Sequence, residues 1–135
     1  MSLENAIAKT VSAVPECVAA GVVDMATGML LGVKTVDSHP SEVLDLVAAA
    51  TSDLFQGSNV VAIENMFKRA RGIPENDGHH YFREIVVYSD NLLHIFQRGT
   101  KNDGIVLVTV CRKNANLGMA LVKARGELKA VESQL

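Results

Sequence analysis

Three apolar segments follow one another between residues 81 and 112 with only short connections between them. Their sequences are YFREIVVYS, LLHIFQR and IVLVTVCR, and the turns between them are Asp90-Asn91 and the stretch GTKNDG. Connections of this length join antiparallel neighbours. The last segment is apolar on both faces, as a central strand covered on both sides would be. This pattern restricts the second half of the chain to an antiparallel sheet.

An earlier pair of apolar segments, ECVAAGVVDM and MLLGVKTV, is joined by a turn at Gly28. The stretch GMLLGVKT has an outward likeness to a phosphate-binding loop. However, three residues rather than four separate Gly28 from Gly32, and Val33 stands between Gly32 and Lys34. A phosphate-binding loop also lies between a strand and a helix. We therefore predict a hairpin strand here and no nucleotide site.

Helical patterns alternate with these strands. The first runs from Leu3 to Val14 and is stopped by Pro15; the last follows residue 113, with Asn114 or Asn116 as its cap. The second has Pro40 in its first turn and Gly57 at its end, and the third has Ser58 as its N-cap. The second is expected to bury Leu44, Val47, Ala48, Thr51, Leu54 and Phe55. The third is expected to turn Val60, Ile63, Met66, Phe67 and Ala70 to its apolar side. The pattern predicts one α+β domain over residues 1–135, with a central antiparallel sheet flanked by helices.

Composition and charge exclude several classes of protein. The formal net charge is −2, and no tryptophan is present, so neither a basic surface nor base-stacking platforms favour nucleic-acid binding. No uncharged apolar run approaches the roughly 20 residues that a membrane span requires, and the first 16 residues lack the apolar core of a signal peptide. Cys17 and Cys111 have no close-spaced partner. This favours a reducing, cytoplasmic setting over a disulfide framework.

The sequence offers no convincing active site. His79 and His80 lie beside Asp77 and Glu75 and are weak candidates for a metal site, but no spaced third ligand accompanies them. Cys111 precedes two basic residues, which leaves thiol chemistry open as an alternative, although an inert buried thiol is commoner in an apolar strand. His94 is expected to be a hydrogen-bonded structural residue. We therefore expect no enzyme activity, no cofactor and no metal.

Two segments are candidates for protein–protein contact. The segment YFREIVVYS is an unpaired template if it lies at a sheet edge, and a two-fold dimer that extends the sheet through it would satisfy that edge. The third helix ends in three basic residues, Lys68, Arg69 and Arg71. These either complement the negative end of the helix dipole or form a docking patch for an acidic partner.

Two stretches resemble the Roadblock/dynein-light-chain domain family. One is AAGVVDMATGMLLGV, a strand, a turn with Asp and Gly, and an apolar return strand. The other is VLVTVCRKNANLGMALVKARGEL, in which an apolar strand runs through Asn-Leu-Gly into the terminal helix. The resemblance implies a profilin-like α-β-β-α-β-β-β-α fold around a five-stranded antiparallel sheet. Residues 58–80, which contain an extra helix, would be an insertion into that fold.

The resemblance also implies a function and an interface. Members are non-catalytic scaffolds and regulators, and several bind small Ras-like GTPases, so a GTPase or another signalling or motility protein is the expected partner. They form homodimers through the middle helix and the third strand, which correspond here to Pro40–Gln56 and Tyr81–Ser89. The interface residues expected on this basis are Leu44, Val47, Thr51, Leu54, Tyr81, Phe82, Arg83, Ile85 and Val87. A small-ligand or metal sensor that uses residues 58–80 remains the alternative function.

Overall fold

The computed structural model describes residues 2–36, 41–75 and 77–135. The described residues form helices α1 (Leu3–Ala13), α2 (Ser41–Gln56), α3 (Ser58–Ala70) and α4 (Leu117–Glu132). The strands are β1 (Cys17–Asp24), β2 (Met29–Thr35), β3 (Glu84–Tyr88), β4 (Leu92–Arg98) and β5 (Ile105–Arg112). The stretch GMLLGVKT therefore falls in a hairpin, as predicted, and Gly28 takes the positive φ of 70° that its turn requires.

The five strands form one antiparallel sheet in the order β2-β1-β5-β4-β3. The apolar strand β5 is central, and β2 and β3 are the two edges. Helices α1 and α4 pack together on one face, whereas α2 packs against β1 and β2 on the other. The predicted α+β class, with helices on both faces and an extra helix after the middle one, is confirmed.

The face beneath α1 and α4 carries two contiguous core clusters. Ile7 of α1 meets Val22 and Leu107 of the sheet, while Ala120 and Ala124 of α4 pack against Leu93. Side-chain caps fix where these helices begin. Ser2 accepts the N–H of Asn5 at 3.1 Å, and Asn116 accepts the N–H of Met119 at 3.0 Å. Asn116, rather than Asn114, is thus the cap of the last helix.

The opposite face holds the third cluster, in which Phe55 of α2 packs with Phe96 and Val108. Beside it lies Arg98, which is only 2% exposed. Its guanidinium donates to the carbonyls of Phe82, Asp103 and Phe55 at 3.1, 3.1 and 3.2 Å and lies 5.2 Å from the centre of the Phe55 ring. The charge therefore ties the end of α2 to the segment that precedes β3 and to the loop between β4 and β5.

Glu132, in the last turn of α4, organises the loop between β4 and β5. Its carboxylate accepts the backbone N–H groups of Thr100, Lys101 and Asn102 and the hydroxyl of Thr100, all at 2.8–3.0 Å. Burial opposes ionisation, but these hydrogen bonds outweigh it and hold the pKa of Glu132 below its ordinary value. The loop is thereby fastened to the terminal helix.

Two predicted boundaries are wrong. The cap of α3 is Gly57 rather than Ser58, and a Cβ at Gly57 would lie 2.7 Å from the carbonyl oxygen of Asp53, so only glycine fits this tight junction between helices. The third strand begins at Glu84 rather than Tyr81, since the N–H of Tyr81 is bound by the carboxylate of Glu64 instead of a strand.

Within the described residues, no helix is long and apolar enough to cross a bilayer.

Candidate interaction surfaces

Strand β3 is an open edge of the sheet, since it pairs only with β4 within the described chain. Val86, Val87 and Tyr88 are all exposed along it. An exposed apolar edge strand presents unpaired backbone groups and favours pairing with another chain. The edge itself is anchored to the rest of the fold, because Arg125 of α4 binds both carboxylate oxygens of Glu84 at 2.7 and 2.8 Å.

An apolar groove lies beside α2, on the face of the sheet that α2 covers. Its volume is about 270 Å³, and its lining includes Val33, Val47, Val110 and His94. His94 pairs directly with Val87 in the strand register, so the groove continues to the β3 edge. Burial lowers the pKa of His94, which keeps its ring neutral at neutral pH. The ring nitrogen Nε2 lies 3.0 Å from the hydroxyl of Ser89, in agreement with the predicted structural role. We call this groove and the β3 edge together the edge surface.

The residues predicted for the dimer interface on α2 divide into two groups. Val47 and Leu54, expected to be buried in the chain's own core, are exposed and available to a partner. Thr51 is 0% exposed and donates its hydroxyl to the carbonyl of Val47 at 2.8 Å. Thr51 is therefore a core residue, and its assignment to the interface is corrected. Pro40 and the side chain of Leu44 lie outside the described residues.

The predicted interface residues around β3 also include some that the chain itself buries or binds and some that are exposed. Ile85 and Phe82 are half-buried and pack against the cluster around Phe55. Arg83 is held by its own chain, since its guanidinium donates to the carbonyl of Gly99 at 2.6 Å. Val87 is the exposed member on the groove side. Tyr81 is half-buried and precedes the strand.

Helix α3 has its polarity inverted relative to a helix packed on a core. Glu64 and Lys68 face inward and are nearly fully buried, while Ile63, Met66 and Phe67 are exposed. These three residues, with the exposed Ala70, follow the i, i+3, i+4, i+7 spacing of an apolar helix face. The predicted stripe thus exists but points to solvent. We call Ile63, Met66, Phe67 and Ala70 the α3 stripe.

The buried charges of α3 explain this inversion. Lys68, 4% exposed, lies 2.7 Å from the carboxylate of Asp77 and donates to the carbonyl of Glu75 at 3.3 Å. Glu64 binds the backbone N–H of Tyr81 and lies 3.2 Å from Nδ1 of His80. Both side chains hold the loop after α3, so the opposite side of the helix is left facing outward.

Lys68 therefore does not belong to the basic patch predicted at the end of α3, because its ammonium group is enclosed by the chain's own loop. Arg69 and Arg71 remain at the surface. Arg69 pairs with Glu75 at 3.0 Å, and both side chains are largely exposed. The corrected patch consists of two arginines next to the α3 stripe.

The neighbouring histidines have different contacts. His80 faces Glu64, whereas the ring of His79 lies edge-on to that of Tyr81 at 5.1 Å, and Tyr81 in turn meets Phe67 at 5.8 Å. Across residues 2–36, 41–75 and 77–135, no three His, Cys, Asp or Glu side chains are grouped as metal ligands.

The sequence patterns did not predict that two cysteines lie next to each other. Cys17 on β1 and Cys111 on β5 are register partners in the sheet, and both are buried free thiols. They are separated by most of the chain, and no local signal predicts the register of two distant strands. The hydrogen bond with Cys17, and burial after it, raise the pKa of Cys111, which opposes its activation by Arg112 and Lys113.

Comparison with known proteins agrees with this geometry at the level of the fold. No family model and no curated protein matches the sequence. Among solved structures, a Roadblock/LC7 domain from Streptomyces avermitilis superimposes with a TM-score of 0.67 and 20% identity, over 98% of this chain and 97% of that one. The gliding protein MglB from Thermus thermophilus gives 0.68 and 18%, over 98% and 87%. An MglB in a tetrameric arrangement gives 0.68 and 19%, over 98% and 90%.

The sheet order, the helices on both faces and the open β3 edge define an α+β domain with surfaces suited to protein contact. The structural matches then make the class specific: this chain has the Roadblock/LC7 fold. The resemblance drawn from the first hairpin and from the last strand and helix is confirmed at this level.

Proposed function

We propose that this chain is a non-catalytic regulatory or scaffold protein that forms a homodimer through the edge surface and binds a small Ras-like GTPase through the α3 stripe. The observation that carries the proposal is that helix α3 turns charged side chains inward and its apolar side to solvent. A helix that buries two charges and exposes Ile63, Met66 and Phe67 has a surface of the kind used for protein contact. In this proposal residues 58–80 are an insertion into the family's fold, and they supply the partner surface.

Homodimer formation is supported by a separate surface. The β3 edge, Val87 and the adjoining groove form one continuous apolar region on the α2 face. The MglB structure with a tetrameric arrangement indicates that this fold is compatible with self-assembly. In this proposal the protein acts in a reducing, cytoplasmic setting, as expected from its sequence.

The dimer is tested by the substitution Val87→Lys, with Met29→Lys as its matched control. Both residues are exposed on edge strands, but Met29 lies on β2 at the opposite edge. A lysine on β3 places a charge in the apolar contact, so we expect the dimer dissociation constant to rise at least about tenfold, while Met29→Lys leaves it unchanged. Sedimentation velocity over a concentration series measures both. A wild-type monomer at the highest concentration would refute the dimer.

Partner binding is tested by capture from a lysate of the source cells, once with GDP and once with a non-hydrolysable GTP analogue. We expect a Ras-like GTPase, identified by mass spectrometry, to be enriched in one nucleotide state. The substitution Met66→Glu should abolish the enrichment, because it places a charge in the centre of the α3 stripe. Val122→Glu on α4 is the matched control, since Met66 and Val122 are both 61% exposed. Retention of the GTPase by Met66→Glu would assign binding to another surface.

A further inference from the structure

Cys17 and Cys111 occupy directly opposed positions on the neighbouring antiparallel strands β1 and β5. The N–H of Arg112 donates to the carbonyl of Glu16 at 2.9 Å, one residue outside the pair, which identifies a non-hydrogen-bonded position of the ladder. Opposed Cα atoms at such positions are about 4.5 Å apart, within the range of about 4.4–6.8 Å that disulfides span. The ladder shifts its register between Cys17 and Ala19, directly after the pair, and the hydrogen bond between the two thiols shows that their sulfurs lie close together.

The two thiols are unequal, and this gives them different roles in oxidation. A hydrogen bond with the Cys111 thiol lowers the pKa of Cys17 and outweighs the opposing effect of burial. The same interaction, together with burial, raises the pKa of Cys111. The thiolate is the nucleophile in cysteine oxidation, so Cys17 is the residue that reacts first. Cys17 is also the more accessible, at 8% exposure against 0% for Cys111.

A small oxidant has a route to this end of the sheet. A groove of about 620 Å³ is lined by Asn91 and Lys113, among others. It also includes Val18 and Arg112, which are the chain neighbours of the two cysteines. The side chain of Arg112 pairs with Glu16 at 3.4 Å and is largely exposed, so the groove is bordered by surface side chains rather than by packed core.

We propose that Cys17 and Cys111 are a redox-active dithiol that a hydroperoxide oxidises to a reversible cross-strand disulfide. The sulfur of Cys17 attacks the terminal peroxide oxygen, the O–O bond breaks, and Cys17 becomes a sulfenic acid while one water (or alcohol) leaves. The sulfur of Cys111 then displaces the hydroxyl group from Cys17, and a second water leaves as the S–S bond forms. Two thiols and one hydrogen peroxide thus yield one disulfide and two waters, and a dithiol reductant reverses the change by exchange.

The disulfide would join two corners of the fold. Cys17 follows the turn at Pro15 and Glu16 that connects α1 to β1, and Cys111 precedes the connection from β5 to α4. Oxidation would therefore prevent the β1–β5 pairing from opening at this end. The bond requires neither the proposed partner nor the dimer.

The test starts from the chain in its reduced form, which is treated with hydrogen peroxide. Catalase then stops the reaction, and the remaining free thiols are alkylated in denaturant without reductant. Intact mass spectrometry is expected to show loss of both alkylatable thiols and a mass lower by two hydrogens, and dithiothreitol should restore both. Native chain should form the bond at least about tenfold faster than chain oxidised in urea, because the sheet holds the sulfurs together. Equal rates in both conditions would overturn the proposal, and this comparison needs no variant.

Two variants assign the roles. In Cys111→Ala, oxidation should stop at a Cys17 sulfenic acid that dimedone traps. In Cys17→Ala, Cys111 should remain an alkylatable thiol under the same treatment. Disulfide-linked dimers of wild-type chains, or a Cys17 sulfinic acid in place of the internal bond, would overturn the proposal.

Discussion

Replacing Arg98 by alanine is expected to lower the free energy of unfolding by about 3–5 kcal/mol, a large share of the total stability of a domain of this size. The guanidinium holds three carbonyl groups in a buried site, and the carbonyl of Phe55 belongs to the last turn of α2, where a cation also complements the helix dipole. The substitution leaves these acceptors without a donor and opens space beside the Phe55 ring. Urea denaturation followed by circular dichroism measures the change.

The matched control for this prediction is Arg112→Ala. Arg112 is the same residue type, but its guanidinium is exposed and, among the described residues, pairs only with Glu16, at 3.4 Å. An exposed ion pair of this kind contributes about 0–1 kcal/mol, so the control should unfold near the wild-type midpoint. Similar losses in the two variants would mean that Arg98 acts through its charge in general and not through its buried carbonyl contacts.

The substitution Glu132→Gln is expected to cost about 2–3 kcal/mol at neutral pH. In the native chain one carboxylate oxygen accepts from Thr100 twice, and the other accepts from Lys101 and Asn102. A glutamine side chain has one oxygen and one NH₂ group. The NH₂ group is itself a donor, so the two donors that it faces would lose their acceptor. Denaturant titration measures the loss, with Glu75→Gln as the control because Glu75 pairs with Arg69 at the surface.

The same contacts predict how the effect depends on pH. The pKa of Glu132 is held below its ordinary value of 4.5 in the folded chain. Its stabilising contribution is therefore complete above that value and is lost as the pH falls through the folded pKa. The stability difference between wild type and Glu132→Gln should narrow steadily below about pH 4.5. A difference that stays constant down to pH 2 would show that ionisation is not its source.

Local patterns predicted the elements well because hydrophobic periodicity and turn chemistry are local properties. Examples are the three strands β3, β4 and β5, although β3 begins at Glu84 rather than Tyr81, and the last helix, whose cap is one of the two asparagines expected. The same periodicity found the stripe on α3 but could not tell which side of the helix faces inward. That choice was made by Glu64 and Lys68, whose partners lie in the following loop. An expectation that charges stay exposed gives the wrong orientation when charged side chains are satisfied in this way.

The candidate surfaces were predictable only in part, for a related reason. The composition of YFREIVVYS made it a pairing template if it lay at a sheet edge, and the strand order places β3 there. The burial of Thr51, in contrast, depends on how α2 lies on the sheet. The pairing of Cys17 with Cys111 depends on the register between the first strand and the last. Such features arise from contacts between distant parts of the chain, which a single sequence does not encode in any local spacing.

The position of β1 between β2 and β5 has a consequence for the chain during its synthesis. Strand β1 acquires its second neighbour only after β5 has been made. Until then the hairpin of β1 and β2 has one open apolar side, and pairings between distant segments form slowly. A ribosome that stalls between β2 and β5 would therefore leave an aggregation-prone intermediate for chaperones to bind.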